Sequence, residues 1–339
     1  MRISLQELLE QKRLVLADGA TGTNFMDMDL EPGFPPDLWN LSQPEKPADL
    51  HQRFVDAGSD IILTNTFGAN GPRLKLHEAQ DQTYDVNKAG AEIAGRVAEK
   101  ADRPVVVAGS VGPTGELFEP MGALTPESAK AAFHEQIRGL KDGGADVVWI
   151  ETMSAQEEIE AAAHAAIELD MPYVFTASFD TAGKTMMGIA PAGLKPIAEG
   201  LTPGPVAYGA NCGVGASDLA YSARAMTRAD TDSVLVGKAN CGIPVIQGKE
   251  TVYTGSPELM ADYVTILAEL GVRIIGGCCG TRPGHIRAMR QAMDEFEPSE
   301  RPNAYEIIEK LGPLAAPPAS EETRSRARDR RRRGRRKDD

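Results

Sequence analysis

Short apolar runs recur along the chain, each continuous rather than alternating. They fall at 14–20 (LVLADGA), 60–66 (DIILTNT), 105–110 (VVVAGS), 147–152 (VVWIET), 173–179 (YVFTASF), 205–212 (PVAYGANC), 234–241 (VLVGKANC) and 273–279 (RIIGGCC). Unbroken apolar runs of this length fit parallel strands covered on both faces. Helical patterns lie between them, with readable starts and stops. Ser154 followed by Glu157 has capping-box spacing, and Thr125-Pro126 and Ser256-Pro257 place a cap residue before a proline at the first helical position. Gly58, Gly143-Gly144 and Gly271 follow the last apolar positions of three such patterns, where helices stop.

Eight strand-then-helix units predict an α/β fold of the (β/α)8 TIM barrel type, with an open doubly wound sheet as the competing arrangement. The run ends favour the barrel. Nearly all finish on polar or glycine-rich residues, among them Asp18, Asn65, Ser110, Glu151, Ser178, Asn211, Asn240 and Cys278. In a barrel these ends converge on one face.

The chain has 339 residues, 42% hydrophobic and 25% charged, enough for one such barrel followed by a tail. We divide it into a barrel over 1–300 and a linker and tail over 301–339. From 320 to 339 there are ten Lys and Arg against five Asp and Glu, so a tail of charge +5 follows a body of −18 within the total of −13. The tail (SEETRSRARDRRRRGRRKDD) follows the Pro/Ala stretch GPLAAPPA, lacks apolar periodicity and reads as disordered. An acidic body argues against nucleic acid as a partner. No apolar run is long enough to span a bilayer and the N-terminus has no signal-peptide pattern, so the expectation is a cytoplasmic protein without a membrane partner.

Reducing surroundings make Cys212, Cys241, Cys278 and Cys279 ligands, nucleophiles or core residues rather than a disulfide framework. Adjacent residues of a strand point to opposite faces, so Cys278 and Cys279 reach one point only if the backbone bends. Their flanking glycines, Gly276, Gly277 and Gly280, make a bend cheap. Cys212 also lies at a run end between glycines, and three thiolates with one open position form the protein side of a catalytic zinc site. Two buried small residues, or a vicinal disulfide, compete with that reading.

Six pieces taken together resemble the homocysteine S-methyltransferase family: DGATGT (18–23), LTNTFGAN (63–70), GSVGPTGE (109–116), ETM (151–153), GANCGVG (209–215) and GGCCGT (276–281). They occur in order over roughly 10–295. The family includes betaine–homocysteine methyltransferases and the homocysteine module of cobalamin-dependent methionine synthase. The resemblance implies a (β/α)8 barrel, zinc held by Cys212, Cys278 and Cys279, and methyl transfer to the thiol of L-homocysteine. It implies that Glu151 receives the substrate ammonium and that Asp18, with the backbone around Gly19 and Gly22, helps hold the amino acid group. Asn65, Ser110 and Asn240 are divided evenly between substrate contacts and loop braces. Cys241 is expected to be a buried free thiol, with a fourth zinc ligand as the alternative, His285 a capping or supporting residue, and His51, His77, His134 and His164 structural.

The methyl donor is less legible. Trp39 suits one wall of a cage for betaine, yet Gly68 stands where betaine enzymes of this kind carry a tyrosine. The expected donor is therefore a methyl-corrinoid (cobalamin) on a separate protein, with betaine or an S-methylmethionine-type sulfonium as the alternative. A non-catalytic zinc- or thiol-binding scaffold is the competing reading from another class.

Overall fold

The computed structural model describes residues 2–247 and 250–315, with backbone alone for 244–247 and 250–252. Its strands are β1 (Val15–Leu16), β2 (Ile61–Leu63), β3 (Val106–Val111), β4 (Val147–Met153), β5 (Tyr173–Ala177), β6 (Ala207–Cys212), β7 (Leu235–Ala239), β8 (Pro244–Gln247), β9 (Glu250–Tyr253) and β10 (Ile274–Gly277). Eight of them form one sheet in the order β1-β10-β7-β6-β5-β4-β3-β2, each parallel to its neighbours. All eight apolar runs are strands of this sheet. The remaining two, β8 and β9, make an antiparallel hairpin that the apolar pattern did not reveal.

The sheet nearly closes into a barrel. Its end strands meet at a single bridge, Ala17 to Ile61. Two carboxylates complete the seam where strand carbonyls are missing. Asp60 Oδ2 accepts from Leu16 N at 3.0 Å and Asp18 Oδ2 accepts from Leu63 N at 2.7 Å. Both N–H groups are thus satisfied at a place where water cannot reach them. Lys12, Arg103 and Arg290 surround the buried Asp60 and balance its charge.

Strand alternation divides each apolar run between two cores. Val15, Ala17, Ile61, Val106, Ala108, Val147, Trp149, Val174 and Val236 belong to the inner one, while Leu16, Ile62, Val107, Val148, Phe175 and Leu235 pack toward the helices. The helix Leu5–Gln11 joins the inner core with Leu5 and Leu8, both fully buried.

The expected caps at Thr125 and Ser256 are present, each accepting from a backbone N–H, and Gly58 and Gly271 close helices with positive φ. The cap assigned to Ser154 is corrected. That helix is Gln156–Glu168, its N-cap is Ala155 with no side-chain bond, and the Ser154 carbonyl instead accepts from Thr185 Oγ1. Within the stretch read as linker and tail, Ala304–Leu311 is a helix with an Asn303/Glu306 capping box. It buries Ile307 and Leu311, and Ser217 Oγ donates to the Leu311 carbonyl, so the folded body extends past residue 300. The Arg-rich tail lies outside the described residues. Among the described residues, no helix is long and apolar enough to cross a membrane.

Candidate thiol and metal centre

The inner register carries upward from the core into the site. Counting in twos from Val106, Val147, Val236 and Ile274 reaches Ser110, Glu151, Lys238 and Cys278, so these side chains share the interior phase of their strands. Cys212 is out of phase in β6, and its backbone corrects this. Its φ is +59°, followed by +73° at Gly213, a left-handed step that re-aims the thiol. Such a conformation is unfavourable for a residue bearing a Cβ and persists only where its surroundings fix it. On β10 the strand ends at Gly277, and the bend needed by Cys279 is completed at Gly280, whose φ is +79°.

The Sγ atoms of Cys212, Cys278 and Cys279 all lie within 4.8 Å of one another. Sulfurs sharing a tetrahedral zinc at the usual bond length are about 3.8 Å apart, so the donor set and its spacing fit such an ion. Burial and the hydrogen-bond network among the thiols leave all three pKa values raised. Hydrogen bonding to Cys278 pushes Cys212 well up, and contact with Cys212 with added burial pushes Cys279 up to about 11. For Cys278 a hydrogen bond with Cys212 works downward, but Cys279 and burial outweigh it. Like charges at this spacing disfavour three thiolates together, and a bound cation would relieve that repulsion. Buried amides hold the cluster in place. Asn240 accepts from Cys279 N at 3.1 Å and donates to the Gly213 carbonyl at 2.8 Å, joining both halves. Asn211 clasps Thr152 through N–H and hydroxyl and lies 3.9 Å from Cys278 Sγ.

Beside the thiols are two carboxylates and a lysine. Ser110 Oγ donates to Glu151 Oε1 at 2.5 Å, and burial pushes the Glu151 carboxyl up despite the nearby Lys238. Lys238, 2% exposed, contacts Asp18 Oδ1 at 2.8 Å. Burial opposes the lysine charge, but Asp18 and Glu151 prevail and hold it protonated. Lys238 was not singled out from the sequence. It sits inside an apolar run, yet its position two residues after the inward Val236 was the available signal.

A cavity of about 640 Å³ opens over these groups. The structure brings Cys212, Cys278, Cys279, Glu151, Ser110, Asn65, Gly19 and Gly22 to its wall, together with Lys238 and Thr152. Asp18 and Asn240 lie behind the wall, where Asp18 binds Lys238 and the β1–β2 seam. Asn65 has its amide engaged by the Pro36 carbonyl and Asn40, as a loop brace does. Gly19 leaves no room for a side chain, since a Cβ there would come within 2.7 Å of the Thr281 carbonyl. Cys241 is fully buried, donates to the Gly255 carbonyl and stands outside the thiol cluster. His285 Nδ1 accepts from Arg282 N, which is a capping contact. His77, read as structural, borders the outer cavity. The cage role given to Trp39 is corrected. The indole is 3% exposed, packs edge-on against Phe25 at 5.0 Å and does not line the cavity.

The pattern describing the family Homocysteine S-methyltransferase matches residues 15–293. Methionine synthase of Mycobacterium tuberculosis (strain ATCC 25618 / H37Rv) is 30% identical over 318 residues, covering 89% of this chain and 26% of that protein. Methionine synthase of Mycobacterium leprae (strain TN) is 30% identical over 309 residues, covering 85% of this chain and 25% of the relative. The chain thus spans about a quarter of the length of these relatives. Among solved structures, the metallated form of the homocysteine methyltransferase MmuM from Escherichia coli superposes with a TM-score of 0.71 at 23% identity, covering 85% of this chain and 99% of that one. The apo form of the same protein gives 0.67 at 25% identity, covering 85% and 99%.

Proposed function

Because the chain belongs to the homocysteine S-methyltransferase family, we propose that it transfers a methyl group to the thiol of L-homocysteine and so makes methionine. The observation that carries this reading is the thiol triad on the wall of a cavity that also presents Glu151. The near-closed sheet is read as a (β/α)8 barrel, whose chemistry gathers at the C-terminal strand ends. Cys212, Cys278 and Cys279 would hold zinc, which when bound keeps a substrate thiol deprotonated near neutral pH as it does a bound water. The remaining work is done by the chain itself. Glu151, oriented by Ser110, receives the substrate ammonium through a charge-assisted hydrogen bond. Asn211 and Thr152 keep that carboxylate in register with Cys278, and Asn240 keeps the two cysteine segments together. Asp18 acts through Lys238 rather than on substrate, and the backbone around Gly19 and Gly22 forms the adjoining wall. A cytoplasmic location belongs to this reading.

For the donor we favour a methyl-corrinoid on a separate protein. The loops after β1, β2, β3, β5 and β7 expose Met26, Leu76, Leu117, Met121, Met186 and Ile243 around the strand ends, an apolar rim suited to a large partner. With Trp39 buried, a cage for betaine lacks its expected wall. The test is methionine formation from L-homocysteine with methylcobalamin, a methyl-corrinoid protein, betaine or S-methylmethionine. Turnover with the corrinoid donors is expected. Turnover with betaine alone would overturn the donor assignment, and zinc binding without homocysteine binding would favour the scaffold.

A further inference from the structure

Buried polar atoms are normally hydrogen-bonded, and one carboxylate oxygen away from the thiols is not. Asp37, in the loop after β1, is 4% exposed, and its Oδ1 accepts from Gly68 N at 2.8 Å. Its Oδ2 has no partner from another residue among the described residues, although the side chain borders the cavity. A Cβ at Gly68 would stand 3.0 Å from Oδ2, so the glycine there keeps that oxygen open. Arg73, exposed on the helix Gly71–Lys75, borders the same cavity, and its charge works to lower the Asp37 pKa. The two do not pair. Among the described residues the guanidinium has no salt bridge and no side-chain hydrogen bond. An acceptor and a donor thus border one cavity unjoined, and a group bridging them must offer an N–H to Asp37 and an oxygen to Arg73. A carboxamide does both without bringing a charge, whereas a simple cation is repelled by Arg73 and a simple anion by Asp37. Carboxamides ring the edge of a corrin.

We propose that Asp37 and Arg73 form a carboxamide-binding subsite that seats the edge of the donor's corrin ring, Asp37 accepting from the amide N–H and Arg73 donating to its oxygen. This rests on the corrinoid reading above and adds the protein groups that hold the ring. A carboxylate that only braced the Gly68 loop would need no open oxygen on the cavity, and Asp37 has one.

Steady-state kinetics of the zinc-loaded protein, with L-homocysteine saturating and free methylcobalamin varied, test this. The assay is run at about pH 7.5, where Asp37 is ionised because burial raises its carboxyl only to about 6. Asp37→Asn keeps an oxygen for Gly68 N but puts N–H donors where Oδ2 was, and Arg73→Met removes the guanidinium. Each should raise KM for methylcobalamin about ten- to a hundredfold, the range for one charge-assisted hydrogen bond. The kcat, the zinc content and the calorimetric affinity for L-homocysteine should stay within about twofold, and Arg73→Lys should recover part of the loss. Methylcobinamide, which keeps ring carboxamides and lacks the nucleotide, should show the same losses. A loss confined to methylcobalamin would assign Arg73 to the nucleotide phosphate, and an unchanged KM in both variants would leave the pair without a ligand; either result overturns the proposal. So would wild-type turnover of betaine or S-methylmethionine, which carry a cation and a carboxylate of their own, if the same substitutions abolished it. Absence of turnover with both corrinoids in the wild type would overturn the corrinoid reading itself, and this inference with it.

Discussion

Cys212 sits at φ +59° one step before Gly213 at +73°, and only this left-handed pair turns its sulfur toward Cys278 and Cys279. Cys212→Ala, Cys278→Ala or Cys279→Ala should therefore each remove most zinc and all methyl transfer. Cys241→Ala should spare both, since that thiol bonds to the Gly255 carbonyl and lies outside the cluster. Metal analysis beside an activity assay checks the set, and full zinc retention in Cys212→Ala would sink the three-sulfur centre. Glu151→Gln should weaken L-homocysteine binding by about 1.5–3 kcal/mol with zinc intact, because it removes the charge opposite the ammonium. Unchanged affinity by calorimetry would leave Glu151 a structural role only. The cysteines, Glu151 and Ser110 were legible because polar side chains closing apolar runs stand out. Lys238 was hidden inside such a run, and the burial of Trp39 depends on how its loop folds against Phe25, which no local pattern encodes.

The eight strand runs could be read because a two-sided parallel sheet leaves unbroken apolar stretches, and the inner and outer cores then follow from alternation. Boundaries were less secure where chemistry was ambiguous. Ser154 and Ala155 both precede the helix Gln156–Glu168, and the Ser154 carbonyl is instead bound by Thr185 from a later loop. The helix Ala304–Leu311 escaped notice beside the Pro/Ala stretch, although its cap and its apolar Ile307 and Leu311 are orthodox. The helix Leu5–Gln11 has the clearest energetic role of the short elements. Its Leu8 is wholly buried in the inner core, so Leu8→Ala should cost about 2–5 kcal/mol in a urea melt. A loss below about 1 kcal/mol would mean that the site collapses around the smaller side chain or that the helix docks loosely.

For the whole molecule, two buried groups tilt stability with pH in opposite directions. His51 is 2% exposed on the helix Glu45–Ala57, its Nε2 has no partner among the described residues, and burial lowers its pKa to about 4. An unfolded chain binds that proton near pH 6.5, so between about 6.5 and 4 the unfolded state holds more protons and stability falls as pH drops. The full effect of the shift is about 3 kcal/mol. Asp37 runs the other way. Burial raises its carboxyl to about 6, so the folded chain keeps a proton that the unfolded chain has already lost, and stability falls as pH rises from about 4 to 6. The two slopes largely offset each other in that window, which a wild-type curve alone cannot separate. His51→Leu isolates one of them. Measured by urea unfolding at pH 7 and pH 4.5, the stability of the variant relative to wild type should shift by about 2–3 kcal/mol in the variant's favour at the lower pH. Asp37→Asn should show the opposite sign, losing stability relative to wild type at pH 4.5 compared with pH 7. A difference between His51→Leu and wild type that stays constant across the two pH values would mean that the folded histidine titrates at its ordinary value.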